Sequence, residues 1–168
     1  RLFAARIAAG PPTPAAAIVS PDPGGVKRAQ LLREALEAAA GRPVGFGFME
    51  KRRSAGVVSG AHFAGDVAGR AVHVVDDMIC GGGTILRAAG AARAHGAAEV
   101  HAIATHARLT GAAVRAFGDT PLLDSVTLTD SVAGAAATQE SLGARLRIVS
   151  CAPQIAAEIG ERLVAAGR

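Results

Sequence analysis

The segment VHVVDDMICGGGTI, residues 72–85, decides the predicted fold of this chain. It begins with an apolar run that is typical of a buried parallel strand and ends in the acidic pair Asp76 and Asp77. Three glycines, 81–83, follow, and an alanine-rich helical pattern then starts with Thr84 in a capping position. This order of strand, glycine turn and helix predicts a ligand site where the strand meets the helix.

The glycine turn has the features of a phosphate site. Glycine lets the backbone adopt positive φ angles, and a helix N-terminus adds partial positive charge, so main-chain N–H groups can bind an anion. Asp76 and Asp77 can accept hydrogen bonds from sugar hydroxyls or help to hold a hard cation such as Mg²⁺. We therefore predict a phosphorylated sugar here, the alternative being a plain connection with solvated acids. The sequence lacks the P-loop and dinucleotide-binding motifs, which disfavours those two classes.

The composition favours a single domain that binds small anions. The 168 residues suffice for one hydrophobic core, and 50% of them are apolar, without Trp or Tyr. The net charge of +4 favours anionic ligands. Nucleic acid is a weaker candidate, because the sequence has no dense tract of Lys and Arg and no Tyr or Trp to stack on bases.

Cysteine content and hydropathy predict the compartment. Cys80 and Cys151 are too few for a disulfide framework, which favours a reducing cytoplasm. Every long apolar run is interrupted by charge, Gly or Pro, so we expect no membrane partner. The sequence starts at Arg1 without Met, and we expect it to be part of a longer chain.

Strands and helices alternate along the rest of the chain. This alternation predicts an α/β fold, a parallel β-sheet with helices on both faces. On the helix predicted for 26–40, Arg28 is expected to face solvent, and a hairpin-type connection is expected at 65–70. Residues 133–143 are expected to form a surface excursion, and the closing helix 152–166 to carry an apolar stripe.

Three adjacent cations, Lys51, Arg52 and Arg53, follow a strand predicted for 43–50. Such a run is usually a solvated strand end. Phosphoryl transfer offers a second use, because a mobile loop can deliver positive charge to the oxygens of the transferred group. Both interpretations stay open on the residues alone.

The residues 74–79 with the following Gly-Gly-Thr resemble the phosphoribosyl-binding loop of type I phosphoribosyltransferases, and more closely that of ribose-phosphate pyrophosphokinases (PRPP synthetases). Further stretches fit the second family in its order and at about its spacing: Ser20–Gly25, Lys51–Arg53, Gly65–Val67, Ala104–His106 and Ser150–Pro153. Together they match the C-terminal half of a PRPP synthetase subunit. Residues 1–168 are therefore expected to form one phosphoribosyltransferase-type domain that binds ribose 5-phosphate, with the partner N-terminal domain absent.

The resemblance implies transfer of the diphosphoryl group of ATP to ribose 5-phosphate with Mg²⁺, in a homo-oligomer. It implies that Lys51 is catalytic, that Arg53 contacts the phosphates and that Asp22 contacts the metal. The sugar would meet Asp76 and Asp77, and its phosphate would rest on the loop Cys80, Gly81, Gly82, Gly83 and Thr84. The chain departs from the family at Cys80, where an acidic residue is common, and at Gly81, where Thr is common.

Two other functions remain open. A type I phosphoribosyltransferase would use PRPP and a nitrogenous base, but we find no aromatic-bearing segment suited to cover the base. A non-catalytic regulatory subunit would keep the fold and sense the sugar phosphate. Such a sensor would not need Lys51 and Arg53, which disfavours it.

Overall fold

The computed structural model describes residues 1–11, 14–54, 57–133 and 138–167, with backbone alone for 51–54, 57–61 and 140. The strands are β1 (Ala16–Ser20), β2 (Gly45–Ser54), β3 (Val57–Gly65), β4 (Ala71–Ile79), β5 (Glu99–Ala107), β6 (Ser125–Thr129) and β7 (Leu146–Val149). The helices are α1 (Leu2–Ala8), α2 (Val26–Ala40), α3 (Gly83–Ala94), α4 (Gly111–Asp119), α5 (Gln139–Leu142) and α6 (Ala152–Ala166). None of these described helices is long and apolar enough to cross a bilayer.

The strands form one seven-stranded sheet in the order β3-β2-β1-β4-β5-β6-β7. All neighbouring pairs are parallel except β2 and β3, which are antiparallel at one edge. The predicted α/β fold is confirmed, with this antiparallel edge as an addition. Because β1, β4, β5 and β6 are parallel, their carboxyl ends lie together, and the segments that follow them all leave from this carboxyl end of the sheet.

The core has two parts, one on each face of the sheet. Val72 and Val74 of β4 belong to the cluster under α3 and α4, whereas Val75 belongs to the cluster under α1 and α2. On α3 the inward residues are mostly alanine, and Ala88 and Ala89 have no exposed surface. Small side chains let α3 approach the sheet closely, which fixes the position of its N-terminus beside β4.

The segment 65–70 is not the connection of a hairpin, contrary to the sequence-based prediction. β3 pairs with β2 at the sheet edge, while β4 lies between β1 and β5. The connection therefore returns past β1, where the N–H of Ala71 donates to the carbonyl of Ala15. The burial of β4 on both faces explains its central place, since a strand that is apolar on both sides must lie inside a covered sheet.

The closing helix α6 also differs from expectation, because its apolar stripe is exposed. Ile155 and Ile159 are each 53% exposed and Leu163 is 68% exposed. The spacing of these residues correctly predicted a helix, but burial also needs a contacting surface, which periodicity does not reveal.

The predicted surface excursion at 133–143 is wrong in its C-terminal part. Residues 134–137 lie outside the described part of the chain. Leu142, in α5, is only 4% exposed and packs in the same cluster as Phe117 of α4. In the described part of this segment, Leu142 thus anchors the chain, and Thr138 is also buried.

A cavity of about 180 Å³ lies on the α1 and α2 face, near the amino ends of the strands. His73 and His101 line it and stack with ring centroids 4.9 Å apart. Burial, and secondarily the neighbouring His101, lowers the pKa of His73 to about 3. His73 is therefore neutral near pH 7, and the cavity lies at the opposite end of β4 from the glycine turn.

Candidate functional site

The glycine turn between β4 and α3 leads directly into the helix. Gly82 is the N-cap with φ 74° and ψ −14°, a left-handed conformation that favours glycine. A Cβ at Gly82 would lie 2.6 Å from Cε1 of Phe117, so the ring also excludes a side chain there. Both observations explain why this position of the turn requires glycine.

The N-terminus of α3 has no side-chain cap. The predicted cap at Thr84 is wrong, because the helix already begins at Gly83, and the Thr84 hydroxyl instead accepts a hydrogen bond of 3.2 Å from Nη2 of Arg87. The first-turn N–H groups have no partner within a helix, so an uncapped terminus leaves them for water or a ligand. The positive end of the helix dipole adds to their attraction for an anion.

An open cavity of about 300 Å³ lies over this terminus. Its lining comprises Asp76, Met78, Ile79, Cys80, Gly81, Gly82, Gly83, Thr84, Ile85 and Arg87. All five residues predicted to hold a phosphate line it, and so does Asp76. Asp77 is next to Asp76 in β4 but is not in the lining.

Arg28 of α2 bridges the acidic pair. Its Nη1 lies 3.2 Å from Oδ1 of Asp76, and its Nη2 lies 2.8 Å from Oδ2 of Asp77. The main-chain N–H of Asp77 also donates to Oδ1 of Asp76, at 2.8 Å. The expectation that Arg28 faces solvent is wrong: its side chain is 38% exposed and is held by two carboxylates.

The contact of Arg28 with the acidic pair is a feature of the candidate site that the sequence pattern does not indicate. Arg28 is separated from Asp76 by 48 positions, and no local pattern reports such a contact. The contact could have been predicted only from the order of the strands in the sheet. α2 follows β1, and β1 pairs with β4, so the first turn of α2 starts beside the end of β4.

The two carboxyl groups have opposite pKa shifts. Burial, with a smaller effect from the carboxyl group of Asp77, raises the pKa of Asp76 to about 6, and the main-chain hydrogen bond from Asp77 and the charge of Arg28 oppose this shift in part. The hydrogen bond with the carboxyl group of Asp76 lowers the pKa of Asp77, and Arg28 lowers it further. Near pH 7 both groups are ionised, and Arg28 offsets part of their repulsion.

Asp22 lies in the turn after β1, at the carboxyl end of the sheet where the glycine turn also lies. Its Oδ1 accepts a hydrogen bond of 3.0 Å from the N–H of Gly25, so it caps the short 3₁₀ turn Pro23–Gly25. The hydroxyl of the buried Ser20 donates to the carbonyl of Asp22 at 2.6 Å. The turn is therefore fixed, and only Oδ1 of the carboxylate takes part in the capping bond.

Whether Asp22 can bind Mg²⁺ depends on how many protein ligands the ion needs. Within the described residues, no group of three or more His, Cys, Asp and Glu side chains is placed to hold a metal ion. Mg²⁺ is commonly bound through one or two carboxylates together with substrate phosphates and water. A single carboxylate on a fixed turn fits such an arrangement.

The side chains of Lys51 and Arg53 lie outside the described residues. Their backbones belong to β2, which continues to Ser54 and so passes through the cations, whereas the strand was predicted to end at Glu50. Phe48 pairs with Ser20, the last residue of β1, so β2 continues beyond the carboxyl end of β1, where Asp22 and the glycine turn lie. The backbone of Lys51 thus lies at the carboxyl end of the sheet, the end that contains the candidate site.

Asp76→Asn is expected to raise the free energy of unfolding at pH 8 by about 1 kcal/mol. The pKa of Asp76 is raised in the folded state, so its stabilising contribution is present at low pH and is lost as the pH rises through about 6. The variant lacks this loss, and its advantage over the wild type should shrink between pH 8 and pH 5. Urea unfolding at the two pH values measures this change.

Asp77→Asn is the matched control, because the pKa of Asp77 is shifted in the other direction. It should lower the free energy of unfolding at pH 8. If both substitutions change stability with the same sign, the opposite roles assigned to the two carboxylates are wrong.

Comparison with known proteins agrees with the geometry. The phosphoribosyl synthetase-associated domain model matches residues 55–162. The chain is 41% identical over 116 residues to a ribose-phosphate pyrophosphokinase of Pasteurella multocida and 38% identical to that of Caldanaerobacter subterraneus subsp. tengcongensis. Each match covers 68% of this chain but only 35% and 34%, respectively, of the relative.

A solved structure extends the likeness to nearly the whole chain. Phosphoribosylpyrophosphate synthetase from Mycobacterium smegmatis superposes with a TM-score of 0.77 at 29% identity, covering 99% of this chain and 50% of that one. The chain thus spans about half of the solved relative and about a third of the curated ones. The resemblance stated from the sequence is confirmed, and the chain belongs to the phosphoribosyl synthetase-associated domain family.

Proposed function

We propose that residues 1–168 form the ribose-5-phosphate-binding domain of a ribose-phosphate diphosphokinase. The enzyme would transfer the diphosphoryl group of ATP to ribose 5-phosphate, giving PRPP and AMP. The observation that carries the proposal is the uncapped N-terminus of α3 beside Asp76, over one open cavity. The names of the similar proteins support the same activity.

Different residues would bind the sugar and the phosphate of ribose 5-phosphate. The loop Cys80–Thr84 would bind the 5-phosphate through main-chain N–H groups, and Asp76, with Asp77 beside it, would accept hydrogen bonds from ring hydroxyls. The anomeric hydroxyl oxygen would then bond to the β-phosphorus of ATP while the bond to the α-phosphate breaks and AMP leaves. Positioning is the main task, which suits a site whose described residues offer carboxylates and main-chain N–H groups rather than an activated nucleophile.

Lys51 and Arg53 would act on the transferred group. Negative charge on its oxygens must be balanced in the transition state, and Lys51 and Arg53 can supply positive charge from the end of β2. Asp22 would contact Mg²⁺, which, when bound, neutralises phosphate charge. The capped turn supports this role, because its hydrogen bond holds the Asp22 carboxylate in place at the carboxyl end of the sheet.

Compartment and assembly are part of the proposal. The described cysteines, Cys80 and Cys151, are both free, which supports a reducing cytoplasm. The likeness to PRPP synthetases supports a homo-oligomer, and analytical ultracentrifugation of the full-length protein would test it. Sedimentation as a monomer alone would remove this part of the proposal.

The full-length protein tests the function when it is given ATP, Mg²⁺ and ribose 5-phosphate. We expect AMP and PRPP to form together in equal amounts. Absence of AMP, combined with binding of ribose 5-phosphate, would favour the sensing subunit. Consumption of PRPP in the presence of a nitrogenous base, without use of ATP, would favour the type I phosphoribosyltransferase.

A further inference from the structure

We propose that Arg28 is a positioning residue that sets the preference of the site for a sugar phosphate bearing vicinal hydroxyls. It would do so by holding Asp76 and Asp77 in the orientation in which both accept hydrogen bonds from the sugar. The inference rests on the proposed function of the glycine turn, since it takes the phosphate-binding half of the ligand as given.

The first support is the way in which Arg28 divides its hydrogen bonds. The guanidinium group donates to one oxygen on each of two different carboxylates, at 3.2 Å to Asp76 and 2.8 Å to Asp77. The second oxygen of each carboxylate is not part of this contact. A planar guanidinium donates in fixed directions, so bridging two groups also fixes their relative orientation.

The second support is that the Arg28 head group lies beside the Asp22 turn. A Cβ at Gly25 would lie 2.7 Å from Oγ of Ser20 and 3.3 Å from Nη1 of Arg28. The Oγ of Ser20, which is fully buried, and the Nη1 of Arg28 thus both lie beside Gly25. The same Ser20 and Gly25 form the hydrogen bonds of the Asp22 turn. Arg28 therefore connects two parts of the candidate site, the Asp22 turn and the acidic pair.

The third support is the charge balance. Two adjacent carboxylates repel each other, and a pair without a nearby cation tends to share a proton. A protonated carboxyl group donates a hydrogen bond from that oxygen and no longer offers two equivalent acceptors. Diol recognition needs two acceptors side by side, and the Arg28 charge favours this state.

The specificity follows from these contacts. Inorganic phosphate would use the glycine turn alone, whereas ribose 5-phosphate would also use the acceptors that Arg28 orients. The 2-deoxy sugar lacks one of the vicinal hydroxyls and should benefit less from the oriented pair. Loss of Arg28 should therefore reduce the preference for ribose 5-phosphate and leave phosphate binding by the turn in place.

Calorimetric titration with three probes tests the inference: ribose 5-phosphate, 2-deoxyribose 5-phosphate and inorganic phosphate. For Arg28→Gln we expect roughly tenfold weaker ribose 5-phosphate binding and a smaller ratio between ribose and deoxyribose affinities. Arg28→Lys should recover part of the affinity, because it restores the charge but not the planar fork. Lys27→Gln, which removes the same charge from the exposed neighbour of Arg28, controls for long-range electrostatics.

Two results would overturn the inference alone. In the first, Arg28→Gln binds ribose 5-phosphate as tightly as Lys27→Gln does. In the second, Arg28→Gln loses affinity for all three probes by the same factor, as the loss of a merely structural residue would cause. Wild-type protein that binds no ribose 5-phosphate would overturn the proposed function, and this inference with it. The two failures are therefore distinguishable in one set of titrations.

Discussion

Gly82→Ala is expected to abolish measurable binding of ribose 5-phosphate. The new Cβ would lie 2.6 Å from Cε1 of Phe117, in a backbone conformation of φ 74° that L side chains rarely adopt. Left-handed strain costs about 1 to 2 kcal/mol and overpacking about 1 to 3 kcal/mol. The strain can be relieved only by moving the turn, and the fully buried ring of Phe117 resists giving way to the new Cβ. Moving the turn changes the direction of the main-chain N–H groups, so calorimetric titration with ribose 5-phosphate should give no heat of binding.

Two other glycines separate this effect from a general response to alanine. A Cβ at Gly81 would meet nothing within 4 Å, so Gly81→Ala should keep most of the affinity although it is in the same turn. Gly90 lies within α3, where a Cβ would make an ordinary contact of 3.7 Å with Leu122, so Gly90→Ala should fold and bind normally. Equal loss of binding in all three variants would contradict the special role of Gly82. Circular dichroism of each variant shows whether the fold is kept.

Lys51→Ala is expected to slow PRPP formation by the full-length protein by about two to three orders of magnitude. Lys51 is proposed to act on the transferred group and not on the sugar, so the affinity for ribose 5-phosphate should change little. Turnover measured from AMP release, alongside calorimetric binding, separates these two quantities.

Lys27→Ala is the comparison for Lys51→Ala, because it removes an exposed lysine from α2. It should leave turnover close to that of the wild type. If Lys51→Ala instead loses ribose 5-phosphate binding while its turnover at saturation is preserved, Lys51 belongs to the sugar site and its proposed role is wrong.

The local parts of the site could be predicted from the sequence because each depends on neighbours in the chain. The glycine turn, the strand before it and the helix after it are all written in residues 72–85. The structure places Asp76 and the loop Cys80–Thr84 around one cavity, while Asp77 is not in its lining. Even here the cap was misplaced, since the N-cap is Gly82, which has a positive φ, and the helix begins at Gly83, one residue before Thr84.

Contacts between distant segments could not be predicted in the same way. Arg28 looked solvent-exposed on the helical pattern of α2, and only the pairing of β1 with β4 brings it to the acids. The apolar stripe of α6 predicted burial, yet Ile155 and Leu163 are exposed. Both errors have one cause: periodicity shows which face of a helix is apolar or polar, but not what lies opposite that face.

The connection at 65–70 illustrates the same limit for strands. Its Gly and Asp content is common to hairpins and to longer returns, so composition could not show that β3 pairs with β2. The burial of β4 on both faces was the better guide, because it requires a central strand.

The most direct test of the account is a titration of the ¹⁵N-labelled chain with ribose 5-phosphate, followed by its amide NMR signals. The central claim is that main-chain N–H groups of the glycine turn bind the sugar phosphate. We predict that the largest shifts fall on residues 80–85, with smaller ones at Asp76 and Asp77, and that ribose without the phosphate leaves residues 80–85 unchanged. Shifts confined to the cavity of His73 and His101, or the absence of shifts at residues 80–85 at millimolar ligand, would contradict the account.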